Sequence, residues 1–427
     1  MPRRIGAWST LAVVVGIMVG SGIFRVPATV AAYGPSVFGF IAIWVVGGLL
    51  ATSGALVFGE LAALFPVTGG RFVYLKEGLS PSFAFIYAWT FTLLLRPSGN
   101  AAMGLVFAAY AGSLVPALAP HEHLVAGTLI VVLSLANYAS VPLTISLSNA
   151  GTLAKVLALG ALAIGILIWA PTVAPAATTV SPPSLHGYGL ALVTVMWTYS
   201  GWSSATDISG EVRNAQRAMP MMLVLGVSAV TALFVLVNVA LLHAMPMTAI
   251  AASKAVVGDA AALTFGAAGR TGAALLVVVA TFSALNSTTL AAPRLIYALG
   301  EEMPRLRTLA GVHSAYRTPY VAVVLTMVLS VVFLLNHSFE QMANLFILGS
   351  WPFYILCGIA LFRLRRTRPD VPRPFRVPWY PWMPVVFLVS SSAMLVNALV
   401  ADPWHSAMGA AFVLLGFPVY YLLRTPK

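Results

Sequence analysis

Apolar runs of about 20 residues, the length that crosses a bilayer core as a helix, recur from one end of this chain to the other. No other feature limits its fold as much. In hydrocarbon every backbone N–H and C=O must find a partner inside the protein, which leaves helices or a closed barrel. The runs are far longer than barrel strands and lack their alternation. About twelve such segments are readable, at residues 7–32, 36–64, 82–115, 124–140, 149–169, 188–210, 219–242, 272–298, 319–335, 341–364, 384–400 and 406–423. The expected class is an all-α polytopic membrane protein without a soluble domain.

Charge supports this reading. Only 8% of residues are charged, against about 25% in soluble domains. The net charge of +12 does not point to nucleic acid, because the basic residues sit in short loops on alternate connections. Arg3, Arg4, Arg71, Lys76, Arg213, Arg217, Arg294, Arg305, Arg307, Arg317 and the cluster from Arg363 to Arg376 fall on one side, with Arg424 and Lys427. Lys254 and Arg270 fall on the other. The positive-inside rule then places both termini in the cytoplasm and the chain in a plasma or inner membrane. The single cysteine, Cys357, excludes an internal disulfide framework. The proline-rich stretch 369–384 reads as a stiff connector.

Two of the runs are interrupted. The first is broken at Gly20-Ser21-Gly22, where each glycine weakens a helix by roughly 1 kcal/mol relative to alanine. Alone, this is either a small-residue packing surface or an opened helix facing a ligand. The second break, Tyr199-Ser200-Gly201 in MWTYSGWSS, falls five segments later. An odd offset makes the two halves enter the membrane from opposite sides, the mark of an inverted repeat with its site at the midplane. The repeats would cover about 7–170 and 188–364, followed by two further helices at 384–423. The new helix start at Ser21 and Gly22 offers free amides to an anion. The helix end near Trp197 offers carbonyls to a cation. Together they suit a zwitterionic α-amino acid. Its side chain would point toward Trp197, Tyr199 and Ser200, with an aromatic serving either as a lid or as packing.

The motifs GIMVGSGIFRVP, GELAALFPVTGGRFVYL, RPSGNAAMGLVFAAY, GTLAKVLALGALAIGI, TYSGWSS with GEVRNAQRAMP, and SALNSTTLAAPRLIYALGEEMPRL follow one another in order. This series resembles the amino acid–polyamine–organocation superfamily, and within it the bacterial homologues of the L-type amino acid transporters. The resemblance implies a LeuT-type 5+5 inverted-repeat fold with broken helices 1 and 6. It also implies sodium-independent amino acid transport, commonly exchange, without a cofactor. It puts carboxylate contacts on Ser21 and Gly22, ammonium contacts on the carbonyls of Met18, Trp197 and Ser200, and the gating aromatic on Trp197. Gly20, Ile23, Tyr199 and Gly201 complete the expected substrate-binding set. Ser200 stands where many members have glycine, and Arg25 where an apolar residue is usual. The loop Pro116 to Leu124 lacks the cysteine that ties eukaryotic members to a heavy subunit, so no disulfide-linked partner is expected.

Ionisable residues within spans are functional candidates by default. Lys155, in GTLAKVLALG, matches a family lysine that stands in for sodium and braces spans one and eight; otherwise it snorkels to the near helix end. Arg96 and Asp207 are pathway candidates, as is Arg25. Glu60 is expected to tie down the first cytoplasmic loop, through Arg71. The expected activity is secondary active transport of neutral α-amino acids with small to medium side chains. A proton-coupled amino acid or amine symporter is the alternative, and a channel is a more distant one. No hydrolase or metalloprotease motif is present, so an enzyme is not expected.

Overall fold

A computed structural model describes residues 3, 5–171, 184–336, 339–401 and 403–424. Arg4 and Lys427 of the charge asymmetry lie outside the described residues. The described chain is helical. Its extended pairing is confined to one isolated parallel bridge, Ile5 with Val212. The helices are α1 (Ala7–Met18), α2 (Gly22–Ala32), α3 (Val37–Leu64), α4 (Arg71–Gly78), α5 (Pro81–Thr90), α6 (Arg96–Leu114), α7 (Glu122–Ala139) and α8 (Val141–Trp169). They continue as α9 (Leu185–Thr198), α10 (Ala215–Ala244), α11 (Met247–Ala252), α12 (Val256–Glu302), α13 (Tyr320–Asn336), α14 (Phe339–Thr367), α15 (Trp382–Ala401) and α16 (Pro403–Leu423).

Among the described residues, α3, the run Pro116–Ala139 containing α7, α8, α10 and α12 are each long and apolar enough to cross a bilayer. α1 and α2 qualify as a pair bent by 41°. The starts follow local chemistry. The hydroxyls of Ser36, Ser140 and Ser184 accept from the N–H groups of Gly39, Leu143 and Gly187 and cap α3, α8 and α9. α8 therefore begins at Val141, earlier than the expected Asn149. α12 extends well before the expected segment but changes direction at Gly266, whose φ of 64° needs a glycine.

The helices pack through small residues and polar cross-links rather than bulk hydrophobicity, which lipid already satisfies. Gly48 of α3 faces Thr231 of α10, and a Cβ on Gly59 would lie 3.2 Å from the Pro220 backbone. The polar face of α12, in the motif SALNSTT, is bonded to its neighbours. Asn286 donates to the Thr144 carbonyl and to Ser148 Oγ, both at 3.0 Å. Thr288 donates to Asn100 at 3.1 Å, and Asn137 donates to Thr289 at 2.9 Å. These bonds fix the rotation of α12 against α6, α7 and α8.

Glu60, fully buried at the end of α3, anchors the basic connector between α14 and α15. Arg365 grips its carboxylate with two bonds of 2.9 and 2.5 Å, and the Val377 N–H adds one of 2.7 Å. Arg373 Nε lies 3.4 Å from the same carboxylate as an ion pair. The expected partner, Arg71, is not used. It starts α4 and turns inward over the rings of Tyr87 and Tyr354. Removing one member of a buried ion pair leaves the others uncompensated. Glu60→Ala is therefore expected to cost about 3 kcal/mol, read as a clear fall in the melting temperature of detergent-solubilised protein. An unchanged melting temperature removes the anchor role.

Candidate functional site

The first break spans Val19 to Ser21. Val19 still bonds the Val15 carbonyl at 2.9 Å, and Gly20 then folds back to the Met18 carbonyl at 2.9 Å. From Ser21 the chain restarts as α2. Among the described residues, no backbone acceptor takes the N–H groups of Ser21, Gly22 or Ile23. A helix start leaves such donors open, and its dipole makes the spot favourable for an anion.

The second break lies between α9 and a 3₁₀ segment, Trp202–Glu211. The α-helix expected to resume there does not. Thr206 donates to the Ser203 carbonyl at 2.6 Å and Ser209 to the Thr206 carbonyl at 2.7 Å. Hydroxyls that hold carbonyls three residues back favour the tighter helix. The Trp197 carbonyl accepts both the N–H and the hydroxyl of Ser200, at 3.0 and 2.6 Å. An ammonium binding there has to displace that hydroxyl.

The two breaks touch. A Cβ on Gly22 would lie 2.7 Å from the Thr198 side chain, and one on Gly201 would lie 2.6 Å from Ile17. Gly201 also has φ 105°. Glycine is thus required on each break by the other helix. Beside this contact lies a small cleft of about 60 Å³. Met18, Gly20, Ser21, Gly22, Trp197, Ser200, Gly201 and Arg96 all line it.

Other candidates stand elsewhere. Ile23 is fully buried and outside the cleft wall. Tyr199 is turned away: its hydroxyl donates to the Trp44 carbonyl at 2.9 Å and its ring packs on Phe234. Arg25 is exposed on α2 and does not line the cleft. Lys155 is also outside it. It is fully buried, donates to the Gly16 carbonyl of α1 at 2.6 Å, and lies 3.5 Å from the Ala280 carbonyl of α12. It joins those two helices directly and does not snorkel. Asp207 is outside the cleft wall and fully buried, with neither carboxylate oxygen hydrogen-bonded among the described residues. Its charged neighbours are Arg71 and Arg96.

Sequence reasoning missed Arg71, Tyr354 and Ser204, which also line the cleft. Arg71 followed two glycines in a basic loop and read as a cytoplasmic charge. Gly70, with φ 44° and packed against Asp207, is the signal that could have placed it.

The chain matches the amino acid permease family over residues 5–421. It is 30% identical over 442 residues to the b(0,+)-type amino acid transporter 1 of Mus musculus, covering 99% of this chain and 88% of that protein. The serine/threonine exchanger SteT of Bacillus subtilis (strain 168) is 26% identical over 431 residues, covering 100% and 98%. The human cystine/glutamate transporter is 28% identical over 442 residues, covering 99% and 85%.

The contact of the two breaks is open to direct test. Gly201→Ala places a side chain at positive φ and against Ile17, and is expected to cost about 2 kcal/mol. Gly258→Ala is the control, since its nearest neighbour would stand at 3.8 Å. Thermal melts of the two variants should differ clearly. Equal melts show that the breaks do not depend on each other.

Proposed function

This chain belongs to the amino acid permease family, as a transporter and not an enzyme, and from that premise we propose that it exchanges α-amino acids across the membrane without sodium. The observation that carries the proposal is the meeting of two helix breaks at one cleft, with open amides on one break and helix-end carbonyls on the other. The substrate carboxylate meets the N–H groups of Ser21 and Gly22, where the α2 dipole favours it. The ammonium meets the Met18 and Ser200 carbonyls, and the Trp197 carbonyl once Ser200 yields. Trp197 closes over the substrate. Met18 and Ser200 bound the side-chain space, which favours side chains of small to medium size.

The transport cycle in this reading is alternating access between two inverted five-helix repeats, about 7–170 and 188–364, with both termini cytoplasmic. The broken helices move against a scaffold that includes α8 and α12. Lys155 supplies the tie. Its ammonium holds the α1 carbonyl just before the break against α12, the place where a bound sodium would otherwise lend charge. Conformational coupling of this kind is worth about 1–3 kcal/mol.

Buried Asp207, with no hydrogen bond to its carboxylate, favours a second reading, proton-coupled symport. One experiment separates the two. Proteoliposomes preloaded with an amino acid should take up labelled substrate several-fold faster than empty ones, equally with and without sodium. Uptake driven by an inward proton gradient into empty vesicles supports symport instead. If no amino acid is taken up, the reading of the cleft is wrong. Lys155→Ala is expected to lower exchange about tenfold while the purified protein remains monodisperse; full exchange activity in that variant removes Lys155 from the cycle.

A further inference from the structure

The cleft holds more positive charge than its walls balance. Arg71 and Arg96 both line it, at 4% and 5% exposure, and the Nε of each has no hydrogen-bond partner among the described residues. Arg96 is held by one long bond to Ser204 Oγ, at 3.4 Å. Aromatic rings cover the faces of both guanidiniums: Tyr87 at 4.8 Å and Tyr354 at 5.5 Å for Arg71, and Phe91 at 4.8 Å for Arg96. A ring face attracts the cation but leaves its in-plane N–H donors unused. Among the described residues, one carboxylate, Asp207, stands beside the pair and outside the cleft wall. Two guanidiniums against one carboxylate leave one positive charge turned toward the cavity.

Buried guanidinium forks with free in-plane donors are suited to a carboxylate. The α-carboxylate of the substrate is already placed at Ser21 and Gly22. We infer that Arg71 and Arg96 form a subsite for a second carboxylate, so that α-amino acids with an acidic side chain bind better than neutral ones of the same shape. This rests on the α-amino acid reading of the cleft and extends it beyond neutral side chains. Ser204 contributes by holding the Arg96 guanidinium at the cavity edge.

Glutamate and glutamine test this, because they differ in the charge of one terminal group and hardly in volume. Binding to the purified wild-type protein, read by thermal shift and isothermal calorimetry, should show glutamate at least about tenfold tighter than glutamine. In Arg96→Gln the two should bind within about threefold of each other, with glutamine little changed. Glutamine binding the wild type as tightly as glutamate overturns the subsite while leaving the transporter reading intact. If neither these two nor any other amino acid binds, the cleft reading itself fails. The wild-type comparison does not depend on how well the variant folds. A glutamate preference that survives in both Arg96→Gln and Arg71→Gln, with each variant monodisperse, also overturns the assignment.

Discussion

The close approach of two interrupted helices governs this structure. Gly22 lies on Thr198, and Gly201 lies on Ile17. Neither position has room for a side chain. Two continuous helices with side chains at those positions would stand farther apart, and no paired helix ends would face a common space. By breaking at the crossing, α1/α2 and α9 with its 3₁₀ continuation bring a helix start and a helix end together. Those ends carry opposite partial charges. The crossing thus sets both the position of the cleft and its polarity, before any side chain is considered. Opened backbone at membrane depth is tolerable where it lines a cavity, and the cleft meets that condition.

The price of opening α1 is a weakened ladder of bonds just before the break. Lys155 compensates from outside the cleft by donating to the Gly16 carbonyl. It can do so because α8 and α12 are held in register by the bonds of Asn286 and Ser287 to Ser148 and of Asn286 to the Thr144 carbonyl. The polar motif of α12 and the single buried lysine of α8 are therefore parts of one arrangement. The motif fixes where the lysine can stand, and the lysine reaches the element that bears the site. In lipid such bonds replace the hydrophobic drive that assembles soluble cores.

Much of this was legible in the sequence. Apolar runs of fixed length can fold only as helices in hydrocarbon, so each expected segment falls on helical residues. Glycine at the two breaks was equally plain, and Met18, Ser21, Gly22, Trp197 and Ser200 meet at the cleft as their positions implied. What was not legible depended on rotation about helix axes. Tyr199 and Ser200 are neighbours, yet one turns to Trp44 and the other lines the cleft; a break has no regular period from which to assign faces. The 3₁₀ continuation follows from hydroxyls whose bonding is local but whose choice among carbonyls is not fixed by composition. Glu60 and Arg71 appeared matched because they are close in sequence, whereas the true partner of Glu60 comes from 305 residues away.

Comparison of two of the buried charge groups separates structure from function. At Glu60 one carboxylate is saturated by a bidentate arginine, a backbone N–H and a second guanidinium. Both oxygens of that carboxylate are hydrogen-bonded, although Arg373 Nε makes only the ion pair, and the group closes a loop onto a helix end. Around Asp207 the same residue types are buried as deeply, but neither carboxylate oxygen has a hydrogen bond and both arginines keep an unpartnered Nε. Buried polar groups left unpaired cost far more than paired ones, and such arrangements persist where another role requires them. The first group lies at the connector between α14 and α15. In the second, both arginines face the cavity where the helices break. An unsaturated cluster on the wall of a cleft is incomplete by itself, and a small anion arriving through the cleft would complete it.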